Sequence, residues 1–173
     1  MTRGRPAEEG AGEGASGASP TDPEPDEPRV GWFTQWLRRR PNSFEFWEVL
    51  VTDERLVWCF AGESFRSMLL RADMGEATRA FLEDATPEAA LAHSERGFSV
   101  PLASLRTLRL RQGTRTRRAR LVVEWEASGE RVAWELSNTA DGDEQADLLE
   151  RLANRESFSH VDCEVETPRF AFL

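Results

Sequence analysis

The 173-residue chain contains no Lys, no Tyr and no Ile. All 22 positive charges are therefore Arg, set against 31 acids for a net charge of −9. Joint absence of these types points to the codon bias of a GC-rich genome, so the Arg count alone is no evidence of partner chemistry. The negative balance favours solubility and works against nonspecific nucleic-acid binding. No apolar run approaches the roughly 18 residues of a membrane span. Arg3 and Arg5 have no apolar stretch behind them, so no secretion signal is expected. Cysteine is scarce: Cys59 and Cys163 stand far apart. Without a secretion signal, that predicts a reduced, cytoplasmic chain with no disulfide framework.

The chemistry-bearing motifs are missing too. There is no G-x-S-x-G, no H-E-x-x-H, no phosphate-binding glycine loop and no C-x-x-C. Ser94 follows His93, but neighbours on a helix do not face one another. Glu124 and Glu126 share the polar face of one predicted strand, where acids are ordinary. The chain is expected not to be an enzyme. His160 and Cys163 have metal-ligand spacing, and Cys59 and His93 could complete a set. Cys59 shares a strand face with Val57, however, and is expected to be a buried structural thiol. Asp141-Gly142-Asp143-Glu144 resembles part of a calcium loop but lacks the ligands that should follow; the start of a helix accounts for those acids. Neither a metal nor a cofactor is expected.

What is present is a pattern of short strands. Residues 1–29 hold no aromatic and are mostly Gly, Ala, Pro, Ser and acid. They cannot bury enough apolar surface to offset ordering, and are expected to be a disordered tail. Residues 30–173 are enough for a single domain. Within it, Trp32 with Trp36 and Phe33 with Leu37 are spaced i,i+4, which predicts a short flanking helix over 30–40, ended by Pro41-Asn42-Ser43. Phe46 to Phe60 predicts a hairpin of strands at about 44–51 and 56–61 around Thr52-Asp53-Glu54-Arg55. A second turn is expected at Ala61-Gly62-Glu63-Ser64, with a third strand over Phe65–Leu70. Met74, Ala77, Ala80, Phe81 and Leu82 predict a helical insertion over 73–96, with Thr86 as N-cap, Pro87 at N1 of its second helix and Gly97 as C-cap. Alternation returns at Phe98, Val100 and Leu102, at Leu108 and Leu110, and at Leu121, Val123 and Trp125. Ala127-Ser128-Gly129-Glu130 is a hairpin turn, answered by Val132, Trp134 and Leu136. A last helix is expected over about 141–154 through Leu148, Leu149 and Leu152. Val161, Cys163 and Val165 then alternate in a strand or an extended C-terminal arm.

Strands in hairpin sequence closed by one amphipathic helix describe an α+β fold, a partly closed antiparallel barrel or sandwich capped by that helix. Val51-Thr52-Asp53-Glu54-Arg55-Leu56-Val57-Trp58 resembles the "V/L-T-D-x-R-L-I/V" hairpin of the bacterial pleckstrin-homology-like (PH-like) families, and more distantly of GRAM domains. Val100 to Gly113 resembles their "I-P-L-x-x-I-x-x-V-x-x-x-x-G" segment, and 131–154 their strand-loop-helix ending. The resemblance covers about residues 44–154. It implies a PH-like scaffold, with the insertion at 73–96 added, and a binding role.

Two features could carry that role. Arg106, Arg109, Arg111, Arg115, Arg117, Arg118 and Arg120 crowd one hairpin that has no acid between Ser104 and Arg120. This local basic surface suits an anionic partner: an acidic protein segment, a lipid headgroup or nucleic acid. The bland alternative is a solvated strand face that meets the chain's own acidic tail. In PH domains that bind phosphoinositides, the site lies around the first hairpin loop, and here that loop carries no net positive charge. The second feature is Trp32, Phe33, Trp36 and Leu37 beside Arg38, Arg39 and Arg40, which has the make-up of an interfacial membrane anchor. Its bland alternative is a flank covering the barrel's open end. The leading expectation is a non-catalytic adaptor or assembly component that binds another protein. The first alternative is peripheral attachment to an anionic membrane. The second is nucleic-acid association, disfavoured because no aromatic lies between Val100 and Glu124 to stack bases.

Overall fold

Alternation of apolar and polar residues dictates most of the strands. The computed structural model describes residues 27–65, 75–138 and 142–167. Its elements run β1 (Arg29–Arg39), β2 (Ser43–Thr52), β3 (Arg55–Phe65), α1 (Glu76–Asp84), α2 (Pro87–Ala92), β4 (Phe98–Pro101), β5 (Leu105–Arg111), β6 (Arg120–Ala127), β7 (Glu130–Asn138), α3 (Asp143–Ala153) and β8 (Asp162–Glu166). The strands form one mixed sheet in the order β4-β3-β2-β1-β7-β6-β5-β8. Every pairing is antiparallel except β5 with β8, which is parallel. The sheet does not close, since β4 and β8 end it without pairing to each other. The fold is α+β and sheet-rich.

The predicted helix over 30–40 is a strand instead. The helix-like i,i+3 placement of Phe33 and Trp36 on one face comes from a bulge: β1 advances from Phe33 to Trp36 while β2 steps only from Val49 to Trp47. Gln35 takes up the extra residue at φ 63°. The bulge shifts the phase of alternation, so Phe33 and Trp36 both enter the core. A second bulge replaces the turn expected at 61–64. Phe46 pairs with Gly62 and Trp47 with Phe60, leaving Ala61 as the extra residue, and β3 runs on to Phe65. The rest of the expected third strand, 66–70, lies outside the described residues.

The insertion is helical, but it buries a different face from the predicted one. Thr78 and Leu82 point inward, whereas Ala77, Ala80 and Phe81 are exposed and Met74 lies outside the described residues. Thr86 caps α2 by accepting the Ala89 N–H at 3.2 Å, with Pro87 at its first position. Gly97 is not the helix cap: α2 ends at Ala92, and the Gly97 N–H closes a separate turn on Ser94 O at 2.9 Å. At the β6–β7 turn Ser128 and Gly129 have φ of 52° and 80°, the paired left-handed geometry that suits a two-residue hairpin loop.

Helices and sheet enclose two apolar cores. The larger lies inside the folded sheet, where Trp47, Trp58, Phe98, Trp125 and Trp134 meet edge to face, tilted or stacked at centroid separations from 5.1 to 6.2 Å. Leu148, Leu149 and Leu152 of α3 pack into the same core. The smaller joins Leu50, Val57 and Cys59 to Leu82 and Ala90 beneath α1 and α2. The β2–β3 hairpin is thus covered on both faces, which explains its near-continuous apolar run.

Residues 27–29 of the expected tail are placed against the domain. Arg55 pairs with Glu27 at 2.7 Å, and Arg29 donates to Leu82 O and Glu83 O at 2.6 and 2.8 Å. Residues 1–26 of the expected tail lie outside the described residues. Among those described, no helix is long and apolar enough to cross a membrane.

Candidate functional site

The Arg-rich hairpin is built by alternation along β5 and β6. Leu108, Leu110, Leu121 and Val123 face the core, which turns Arg109 and Arg111 outward. Most of the strand arginines are then neutralised by neighbours. Arg106 grips Glu126 at 3.1 and 2.9 Å. Arg109 bridges Glu164 at 2.7 Å and Asp162 at 3.0 Å on β8, and Arg120 pairs with Glu135 at 3.0 Å on β7. Arg111 is half-buried, with Arg120 and Glu166 as its strand neighbours.

The hairpin tip differs. Thr114 and Arg117 exchange backbone bonds at 2.7 and 3.2 Å, and the Thr114 hydroxyl accepts the Arg117 N–H at 3.1 Å. The loop sits close on the start of α3: a Cβ on Gly142 would lie 2.6 Å from the Cβ of Ala119. On that base Arg115, Arg117 and Arg118 stand exposed, and their guanidinium groups pair with no carboxylate among the described residues. The basic surface expected over 106–120 contracts to these three.

The expected anchor is not presented to solvent. Phe33, Trp36 and Leu37 are core residues. Trp32 is half-buried and donates its indole N–H to Glu48 at 3.1 Å. Arg38 lies over the Trp134 ring at 3.8 Å and, with Arg40, approaches Glu45 at 3.7 Å. Arg39 is exposed. The segment lacks the free apolar face an interfacial anchor needs.

Around the β1 bulge lies a buried polar cluster that the sequence did not single out. Thr34 N–H donates to Gln145 Oε1 at 3.0 Å, and the Trp36 indole N–H donates to the same oxygen at 3.2 Å. Asn138 Nδ2 donates to Thr34 O at 3.2 Å. Gln35 N–H meets the Glu48 carboxylate at 3.2 and 3.3 Å. The Thr34 hydroxyl is buried without a well-aligned partner, close enough to help hold Glu48 ionised. Glu48 is 1% exposed, and Arg79 of α1 pairs with it at 3.3 Å. Burial nevertheless raises its pKa above the ordinary carboxylate value, the hydrogen bonds and Arg79 opposing that shift. The available signal was an acid inside the apolar run of β2 and an amide on the apolar face of α3.

Between β1 and α3, beside this cluster, runs a groove of about 420 Å3 lined by Gly31, Trp32 and Thr34 on one side and by Glu144, Gln145, Asp147, Leu148 and Arg151 on the other. At the far end of α3, Arg155 grips Asp53 at 2.9 and 2.6 Å and Ser157 donates to it at 2.5 Å. These bonds hold the Asp53 pKa below its usual value. The sequence marks 52–55 as a turn and as a first hairpin loop without net positive charge; the hold of Arg155 and Ser157 on Asp53 comes from residues 102 and 104 positions away.

The Cys and His residues are not gathered. Cys59 is buried under α2, His93 stacks on Phe81, and His160 Nε2 lies 2.8 Å from Leu102 O. Among the described residues no group of three His, Cys, Asp or Glu could hold a metal ion. Burial, then the Glu48 charge, pushes the Cys59 thiol up to about 12; burial, then Asp162, pushes Cys163 up to about 11.

No family model matches the chain, and no curated protein matches it. Among solved structures it is similar to the hSac2 domain from human phosphoinositide phosphatase Sac2, with 8% identity, a TM-score of 0.48, and coverage of 87% of this chain and 83% of that one.

Proposed function

We propose that this chain is a non-catalytic, PH-like binding module that serves as a protein-interaction adaptor or assembly component in the cytoplasm, and that the β5–β6 hairpin tip meets its partner. The observation that carries the reading is the exposed set Arg115, Arg117 and Arg118, uncompensated among the described residues, in a hairpin whose other arginines are mostly paired. Arg presents several donors in a planar fork, which suits carboxylates. The partner is therefore a protein with an exposed acidic segment. The strand order around a C-terminal helix supports the PH-like scaffold. Both thiols titrate far above neutrality, so neither is an activated nucleophile.

The test is a pull-down from the native host with the full chain and with the variant R115E/R117E/R118E, alongside titration of a labelled oligo-glutamate peptide at low and high salt. The wild type should bind the peptide in a salt-sensitive manner, and the variant should lose both the peptide and the partner. Retention of every partner by the variant would overturn the reading. Co-sedimentation with anionic vesicles, if it required the same arginines and exceeded peptide binding, would replace it with membrane attachment.

A further inference from the structure

The two helices of the insertion are weak by themselves. α1 has 9 residues and α2 has 6, each too short to be stable alone in water. α1 starts at Gly75 in the left-handed region with no side-chain cap. It ends in Glu83 and Asp84, whose charges oppose the helix dipole. Its order must therefore come from the sheet.

What the sheet supplies is mostly charge. Arg29 of β1 donates to Leu82 O and Glu83 O at 2.6 and 2.8 Å, which gives the end of α1 the cation it lacks. Arg79 of α1 meets Glu48 of β2 at 3.3 Å, and Glu88 of α2 meets Arg55 of β3. After α2, Arg96 reaches back to Glu45 at 2.6 Å and to Glu63 at 3.1 Å. Apolar burial is small by comparison: Leu82 and Ala90 are the buried side chains that the two helices give to the smaller core. Among the described residues no backbone–backbone hydrogen bond joins α1 or α2 to the sheet. The strands beneath are held differently, by backbone ladders from β1 to β2 to β3 and by the larger core on their other face.

The clamping arginines all reach water: Arg29 and Arg96 are exposed, and Arg55 and Arg79 partly so. Ion pairs in contact with water are screened by salt, whereas ladders and apolar packing are not weakened in that way. Opening also hydrates Glu48, which is 1% exposed and whose charge burial disfavours, so part of the cost is returned. We propose that α1–α2 is a salt-labile cover: it detaches and unfolds as one unit while the sheet stays intact, and so bares Leu50, Val57 and Cys59 with the Glu48 carboxylate beside them. Units that open below the global stability have few buried apolar contacts, as this one does. Ionic strength thereby sets how often this apolar strip is exposed. The inference does not rest on the hairpin tip.

The test is native-state amide exchange on the full chain in about 0.1 M and about 1 M NaCl, which shortens the screening length from about 10 Å to about 3 Å. Amides of Leu82 and Ala90 should exchange at least tenfold faster than those of Leu50 and Val57. Salt should speed the helix amides at least threefold and leave the strand amides unchanged. R29Q/R79Q should speed the helix amides at least tenfold in low salt and remove most of their salt response; the strand amides report in the same spectra that the variant is folded. In a C163S background, labelling of Cys59 by a thiol reagent should rise with salt in step with the helix amides. Equal exchange of helix and strand amides at both salts, or wild-type helix exchange in R29Q/R79Q, would overturn the inference, as would labelling of Cys59 that ignores salt.

Discussion

Two tryptophans with equal burial differ in what their indole N–H meets. Trp36 donates to Gln145, whereas Trp58 Nε1 is buried in the aromatic cluster without a partner. An unsatisfied buried donor costs about 1–3 kcal/mol. Replacing Trp58 by Phe removes that donor along with some packing volume. W58F should therefore lose about 1–2 kcal/mol less stability than W36F, which strips a bond from the bulge. Chemical denaturation of both variants would measure the difference. Cys59 is equally bound to its surroundings. Its thiol lies 3.5 Å from Ala90 O under α2 and stays protonated up to about pH 12. At pH 8 a thiol reagent should modify Cys59 only as fast as the smaller core opens, so its labelling rate should rise with denaturant. Rapid labelling in native buffer would contradict the packing described.

Among the elements, β1 and α3 pack closely at Gly31. A Cβ on Gly31 would fall 2.4 Å from Leu148 Cδ1. G31A should cost about 1–3 kcal/mol by overpacking, and part of that should return in G31A/L148V, which a double-mutant cycle would reveal. The join between β2 and α1 carries a pH signature. Because burial raises the Glu48 pKa in the folded state, folding takes up a proton between the unfolded and folded values. The penalty from Glu48 is absent below the unfolded pKa and grows as pH rises through the folded one. Asp53 acts in the opposite sense: its lowered pKa stabilises the fold at neutral pH, and that contribution fades on acidification. The free-energy difference between E48Q and wild type should move in favour of E48Q as pH rises from about 4 to 7. It is at this scale that the chain is most legible. The β2–β3 and β6–β7 hairpins, α3 and the capped start of α2 follow from local periodicity and turn chemistry. The first strand does not, because a single extra residue at Thr34-Gln35 makes strand spacing imitate a helix. Arg115, Arg117 and Arg118 could be picked out in the sequence, but neutralisation of Arg109 by β8 could not, since its partners lie more than 50 residues away. Gln145 was hidden for the same reason: its meaning depends on Thr34, 111 residues distant.

For the whole molecule, the two sheet edges share a build that disfavours edge-to-edge pairing. β4 has 4 residues and ends in Pro101, while β8 carries Asp162, Glu164 and Glu166 along its length. Short or charged edges discourage pairing between copies. The topology is dominated by distant partners: β1 joins β7, and Asp53 is held by Arg155 from 102 residues away. Such folds reach the native state slowly, in about milliseconds to seconds. Stopped-flow tryptophan fluorescence should show refolding in that range, and a microsecond phase carrying the full amplitude would contradict it. The join of β1 to β7 bears on synthesis as well. A chain leaving the ribosome exposes the aromatic flank of β2 and β3 long before Trp125 and Trp134 exist to cover it. Its first four strands must wait, with their inner face bare, for the second half to be translated. That interval, more than the finished surface, is when this chain is most exposed to aggregation.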